Sequence, residues 1–206
     1  YSLLYEFHFL LYQFHFLLYQ YHFMLYQFHF LLEHNTGGTP LAPNLTVTKA
    51  KGDVVNPDGI STEFAGTLGA FAVRSSLITL GDESYMTNPL TGAWESVPKE
   101  VSPLGFFDPQ SGIGAIMTQV VNPNLLAIRE GEIRVGGTLP VAALESILGS
   151  VTDGTTVEAE LTIDAKTLFL TEAILTGRVT ATEPDGVIRT ITLSKFNQPL
   201  TIVAPQ

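Results

Sequence analysis

VEAELTI, residues 157–163, sets Val157, Ala159, Leu161 and Ile163 against Glu158, Glu160 and Thr162 in strict alternation. Successive side chains of a strand leave opposite faces, so the stretch is a strand with one dry and one wet face. That pattern belongs to antiparallel sheets with one solvated side. The rest of the chain repeats the signal. Leu45 to Ala50 and Gly52 to Val55 lead to Asn56-Pro57-Asp58-Gly59, a turn in which Pro presets φ and Gly is expected at positive φ. Ile60 to Leu68 returns with Thr62, Phe64, Gly66 and Leu68 on one face, and Phe71 to Leu80 follows. Gly81-Asp82-Glu83 then turns the chain into Ser84 to Thr87, with a short strand at Thr91 to Glu95. The reading is a meander of hairpins. Beyond residue 163, Ala165-Lys166 and Glu183-Pro184-Asp185-Gly186 separate strands at Leu168 to Val179, Val187 to Phe196 and Leu200 to Val203.

Two segments break the period of two. Asp108 is placed to cap, and Pro109 to begin, a helix carrying Ile113, Ile116, Met117, Val120 and Val121 at helical spacing. A second helix is expected from Leu139 to Leu148, stopped by Gly149. The fold class is therefore α+β: a large antiparallel sheet, wet outside, with apolar helices against its inner face.

The N-terminus differs from everything after it. YEFHFLL, YQFHFLL, YQYHFML and YQFHFLL fill residues 5–32 without a gap. As a strand each unit alternates well, but seven is odd and one continuous strand would turn each successive unit over. As a helix its apolar surface runs nearly all the way round. Polar residues interrupt too often for a membrane span of about 18 apolar residues. His8, His15, His22 and His29 are about 10.5 Å apart along a helix, too far to share one metal ion. The last unit runs directly into the domain, so Phe28 to Leu32 reads as its first strand and the earlier copies as duplications of that text. Residues 1–25 are set apart as a repetitive aromatic segment, and residues 26–206 as the domain.

Composition excludes several functions. Of 206 residues, 45% are hydrophobic but only 15% charged, which points to apolar surface kept near the exterior or inside a cavity. The net charge is −10, and the ten Lys and Arg are scattered singly from Lys49 onward, with no basic stripe for nucleic acid. There is no cysteine for disulfides or thiolate metal sites. No Gly-x-Ser-x-Gly elbow, His-Glu-x-x-His helix or P-loop occurs, and Gly112-Ile113-Gly114 lacks a third glycine. No histidine follows His34, and Glu158 and Glu160 read as solvated positions of a wet face. Neither catalysis nor a cofactor nor a metal site is expected. Asn44-Leu45-Thr46 matches a glycosylation sequon, a pattern short enough to arise by chance.

Five stretches in order carry a resemblance: Gly52-Asp53-Val54-Val55 with Pro57-Asp58; Gly81-Asp82-Glu83-Ser84-Tyr85 with Trp94; Phe107-Asp108-Pro109; Gly137-Thr138-Leu139-Pro140; and Leu193-Ser194-Lys195-Phe196-Asn197-Gln198-Pro199. Together they resemble the bacterial LppX/LprA/LprF/LprG lipoprotein family over about residues 26–206. The resemblance implies a half-barrel sheet wrapped around helices, similar to the LolA and LolB carriers. It also implies a cavity for di- or triacylated lipids or glycolipids, and export to the cell envelope with a membrane anchor on a lipidated cysteine. With no cysteine in the sequence, the anchor is expected either to lie outside this chain or to be absent from the protein. Repeats stand where the family has a helix before its first strand, and Ala127 to Gly137 reads as shorter than the strand pair expected there. On this reading Phe64, Phe71, Val73, Tyr85, Trp94, Phe106, Ile113, Ile116, Met117, Val120, Leu144, Ile147 and Leu148 line the cavity, each competing with plain core packing. Tyr85 and Trp94 carry polar handles suited to the mouth. The function expected is non-enzymatic lipid binding and transport. The alternative is a structural protein self-associating through residues 1–32, since long apolar edges associate.

Overall fold

The computed structural model describes residues 27–42, 44–103, 107, 112–145, 151–152 and 154–205. They form one antiparallel sheet of 12 strands. The first half is a meander: β1 Gln27–His34, β2 Thr39–Ala42, β3 Leu45–Val55, β4 Gly59–Leu68, β5 Phe71–Leu80, β6 Glu83–Thr87 and β7 Trp94–Val97. The second half is β8 Val121–Arg129, β9 Glu132–Pro140, β10 Thr156–Asp164, β11 Leu170–Thr176 and β12 Ile188–Ser194. The order is β7-β6-β5-β4-β3-β1-β12-β11-β10-β9-β8, with β2 on β3, so the sheet is open and its edges are β7 and β8.

β1 lies at the middle, between β3 and β12, and joins the two halves. Its alternation does the work: Phe28 and Phe30 face inward and are buried, while Glu33 faces water and pairs with Lys49 at 2.6 Å. The same parity runs through the sheet, with Val54, Ile60, Phe64, Leu77, Leu139, Val157, Leu161, Ile163 and Leu193 buried on one face. Outward residues form exposed cross-strand ion pairs such as Lys51–Glu63 and Arg134–Glu160, each contributing about 0–1 kcal/mol. Gly52 is required by close approach. A Cβ there would collide with the Ser61 carbonyl oxygen and sit 2.9 Å from Phe30 Cε1, whose ring lies over the glycine opposite it.

Both edges are protected against further pairing. β7 has four residues, with Glu95 on it. β8 carries Pro123 and two register irregularities, between Val121 and Asn124 and between Leu125 and Ala127. Short strands, proline and bulges are the usual means of blunting an edge.

Several expectations are corrected. Among the described residues there is very little helix: a six-residue α1, Ile113–Thr118, and single 3₁₀ turns such as Val141–Leu144. The apolar helices expected against the sheet are therefore not seen at the expected length. Leu139 and Pro140 end β9, opposite Val157 and Thr156, because a residue before proline is pushed to extended backbone. Val121 opens β8 rather than closing a helix. The expected cap at Asp108 and Pro109 lies outside the described residues. Ala127 to Gly137 is long enough after all, since β8 and β9 form a hairpin that turns at Glu130-Gly131, both at positive φ. Leu200 to Val203 is not a strand. The turn at residues 56–59 contains a cis Asn56–Pro57 bond, and Gly59 is not at positive φ; Asp58 N–H donates to the Val55 carbonyl at 3.1 Å.

Candidate functional site

Above the second half of the sheet lies an apolar void of about 30 Å³. Its floor is the inward face of β9 to β12: Leu139, Ala159, Leu161, Ala173, Leu175 and Ile191. Its roof is α1 with the second residue beyond it, through Ile116, Met117 and Val120, and Leu144 of the 3₁₀ turn closes one side. Cross-strand register explains the space. Ala159 stands beside Leu175, and Leu161 beside Ala173, so large and small side chains form a checkerboard with two gaps. Val120 reaches into the sheet over Gly137, whose missing Cβ leaves room for it.

α1 has Gly112 at its N-cap with no side-chain cap, and no acidic residue in its first turn or basic residue in its last. A helix of six residues does not stand alone in water, so its packing on the sheet is what holds it. That packing includes the buried Ile116 and Met117.

The structure brings four of the sequence-named residues together around the void: Ile116, Met117, Val120 and Leu144. Phe64 and Val73 are buried on the inward face of β4 and β5, away from it. Phe71 is 77% exposed at the start of β5. Tyr85 pairs with Ile78 and Ser96 on the face opposite Ser84 and Met86, and its hydroxyl donates to Glu83 at 2.9 Å. Trp94, paired with Thr87, shares that outward parity. Ile113 belongs to α1, its side chain lying outside the described residues, as do Phe106, Ile147 and Leu148 altogether. The floor residues were missed as site residues, although the alternation of VEAELTI already places Ala159 and Leu161 on the dry face.

Around the junction of the halves the core is aromatic. Phe107 packs edge-on against Phe28 at 5.6 Å between ring centroids and against Phe30 at 4.4 Å. Where β1 ends and β12 begins the inward face becomes polar. Arg189 pairs with Glu183, their side chains 5% and 3% exposed. Arg189 Nη1 donates to the Gly177 carbonyl at 2.9 Å, and Glu183 Oε2 accepts the Val179 N–H at 2.7 Å. His34 stands beside Arg189 in register. Its Nδ1 must donate to the Thr48 carbonyl, 3.0 Å away, leaving Nε2 to accept from the Thr39 hydroxyl at 2.9 Å. Burial pushes the His34 pKa below its ordinary value; the bond to Thr48 opposes this and the nearby Arg189 charge adds to it. Two buried polar atoms have no partner among the described residues: Thr62 Oγ1 and Arg189 Nε.

No group of three His, Asp or Glu among the described residues is placed to hold a metal ion. No described helix is long and apolar enough to cross a membrane.

An open 12-stranded antiparallel sheet with a short helix over an apolar void is the architecture of the described residues, and known structures share it. LprF from Mycobacterium bovis superimposes with a TM-score of 0.71 at 21% identity, covering 94% of this chain and 95% of that one. The Mycobacterium tuberculosis lipoprotein LppX gives 0.57 at 16% identity, covering 87% and 90%. These likenesses establish the fold. The LppX_LprAFG lipoprotein family model matches residues 27–202, and the chain belongs to that family. A search of curated proteins found no match.

Proposed function

We propose that this protein binds and carries acylated lipids or glycolipids in the space between α1 and the inward face of β9 to β12, outside the cytoplasmic membrane, without catalysing a reaction. The observation that carries the reading is the void itself: ten apolar side chains line it, and it lies under a six-residue helix without a side-chain cap. An empty apolar cavity stays dry and takes apolar guests. At about 30 Å³ it holds no more than a small group, so an acyl chain enters by lifting α1 off the sheet and taking the places of Ile116 and Met117. A buried sixteen-carbon chain gains roughly 12 kcal/mol gross at about 0.8 kcal/mol per CH₂. Lifting the helix and immobilising the ligand reduce that gain. Membership of a lipoprotein family supports an exported, envelope-associated protein.

The test is extraction of the purified protein with organic solvent, mass spectrometry of the extract, and exchange against a panel of diacyl and triacyl lipids. Co-purifying or exchangeable lipid is the expected result. A protein that neither retains nor takes up any lipid across the panel would end the proposal.

A further inference from the structure

The polar end of the inward face adds a requirement on the ligand that the apolar void alone does not. Arg189 is the direct cross-strand neighbour of Leu175 and lies two residues before Ile191, on the same face of the sheet. Both of those residues line the void. The backbone of Arg189 therefore adjoins the floor of the void, and its side chain is 5% exposed. The outer nitrogens are used: Nη1 on the Gly177 carbonyl and Nη2 on Glu183. Nε, the nitrogen closest to the sheet along the side chain, is buried and has no acceptor among the described residues. A buried N–H without an acceptor is destabilising, so this donor is stabilised by any oxygen that reaches it.

The charge around it decides which oxygen. Glu183 already neutralises Arg189, and the pair is almost wholly out of water. An incoming carboxylate would leave a net negative charge buried, which is expensive, whereas a neutral acceptor adds none. We propose that Arg189 Nε is the polar anchor of the lipid site, donating to an uncharged oxygen at the head of a chain lodged in the void, an ester carbonyl or a hydroxyl, and that the site thereby selects esterified or alcohol lipids over free fatty acids. This rests on the lipid-carrier reading above and narrows it.

The experiment compares dodecane, methyl dodecanoate, dodecan-1-ol and laurate at pH 8 for displacement of a bound fluorescent acyl-ester probe from the whole chain. The ester or the alcohol is expected to bind roughly three- to ten-fold more tightly than dodecane, the value of about one hydrogen bond, and laurate no more tightly than the ester. The two arms say which oxygen is preferred. In Glu183→Gln/Arg189→Met, which removes both charges while Gln keeps an acceptor for Val179, that preference should disappear. If the double variant does not fold, Arg189→Lys, which keeps the charge pair but loses the Nε donor, carries the same comparison. A preference that survives in the variants, or laurate binding more tightly than the ester, overturns the anchor while leaving the carrier intact. If no ligand displaces the probe, both proposals fall.

Discussion

Replacing Met117 with alanine enlarges the void from its roof. Met117 is 5% exposed and packs down onto the sheet from α1, so the substitution removes buried apolar volume at the point where an acyl chain would enter. Substitutions of this kind cost about 2–5 kcal/mol, depending on how far the surroundings collapse. A six-residue helix without a side-chain cap can settle toward the floor, which places Met117→Ala in the lower part of that range, about 2–3 kcal/mol. For a chain of this length each kcal/mol lowers Tm by about 2–4 °C, so a fall of about 4–12 °C is expected. A ligand should then reverse it. At 100 times its Kd a ligand that binds only the folded state contributes about 2.7 kcal/mol, and in the variant it no longer has to displace the methionine. Differential scanning fluorimetry with and without dodecane tests both halves. The expected pattern is a lower Tm without ligand and a larger ligand-induced rise in Met117→Ala than in the parent. A destabilised variant that dodecane does not raise would refute the idea that the void and the ligand share one place. A variant with unchanged Tm would show that α1 is not packed on the sheet at all.

Three further outcomes follow from the geometry. Gly52→Ala places a Cβ against the Ser61 carbonyl and the Phe30 ring, and backbone on a paired strand cannot yield, so urea unfolding should show a loss of about 2–4 kcal/mol. Glu183→Leu strands the Arg189 charge and the Val179 N–H, and should cost about 3–5 kcal/mol; Glu183→Leu/Arg189→Leu should recover much of it, and a strictly additive double variant would contradict a coupled pair. His34 has its pKa lowered by burial, so below its ordinary value of 6.5 the unfolded chain takes up a proton more readily than the folded one. Stability should therefore decline as pH falls from that value toward the lowered folded pKa and be unaffected by this group above it; His34→Gln should flatten this part of the profile in denaturant titrations, and an unaltered slope would place its origin elsewhere.

How much of this was legible depended on whether a local pattern or a distant partner decided the outcome. Alternation settled the faces of β1, β4 and β10, because a period of two survives any choice of neighbour: Phe28 and Phe30, Thr62 and Phe64, Ala159 and Leu161 all point inward. It could not settle Tyr85 against Met86, since both are apolar and only the pairing with Leu77 brings Met86 inside. Leu200 to Val203 has the composition of a strand, but β12 already has β1 and β11 on its two sides, and β7 and β8 end the sheet far from it. The family resemblance placed the sheet correctly; of the second expected helix, Leu139-Pro140 is instead held extended against β10, and residues 146–148 lie outside the described residues.

The site residues show the same division in a sharper form. A search for a lipid cavity that ranks residues by size and greasiness finds phenylalanine and tryptophan, and it selected Phe71 and Trp94, one solvent-facing and the other on the outward side. Space in a close-packed interior appears where side chains are small, because every large one tends to fill the volume it could have enclosed. The void lies over Ala159 and Ala173, which are unremarkable in sequence and separated by fourteen positions, and become neighbours only through the pairing of Leu161 with Ala173 and of Ala159 with Leu175. A cavity is thus a property of register, set by which small residue comes to stand beside which large one. In the proposed carrier the two alanines under α1 set the space open to a chain, and the aromatic residues at the centre of the sheet serve to join its halves.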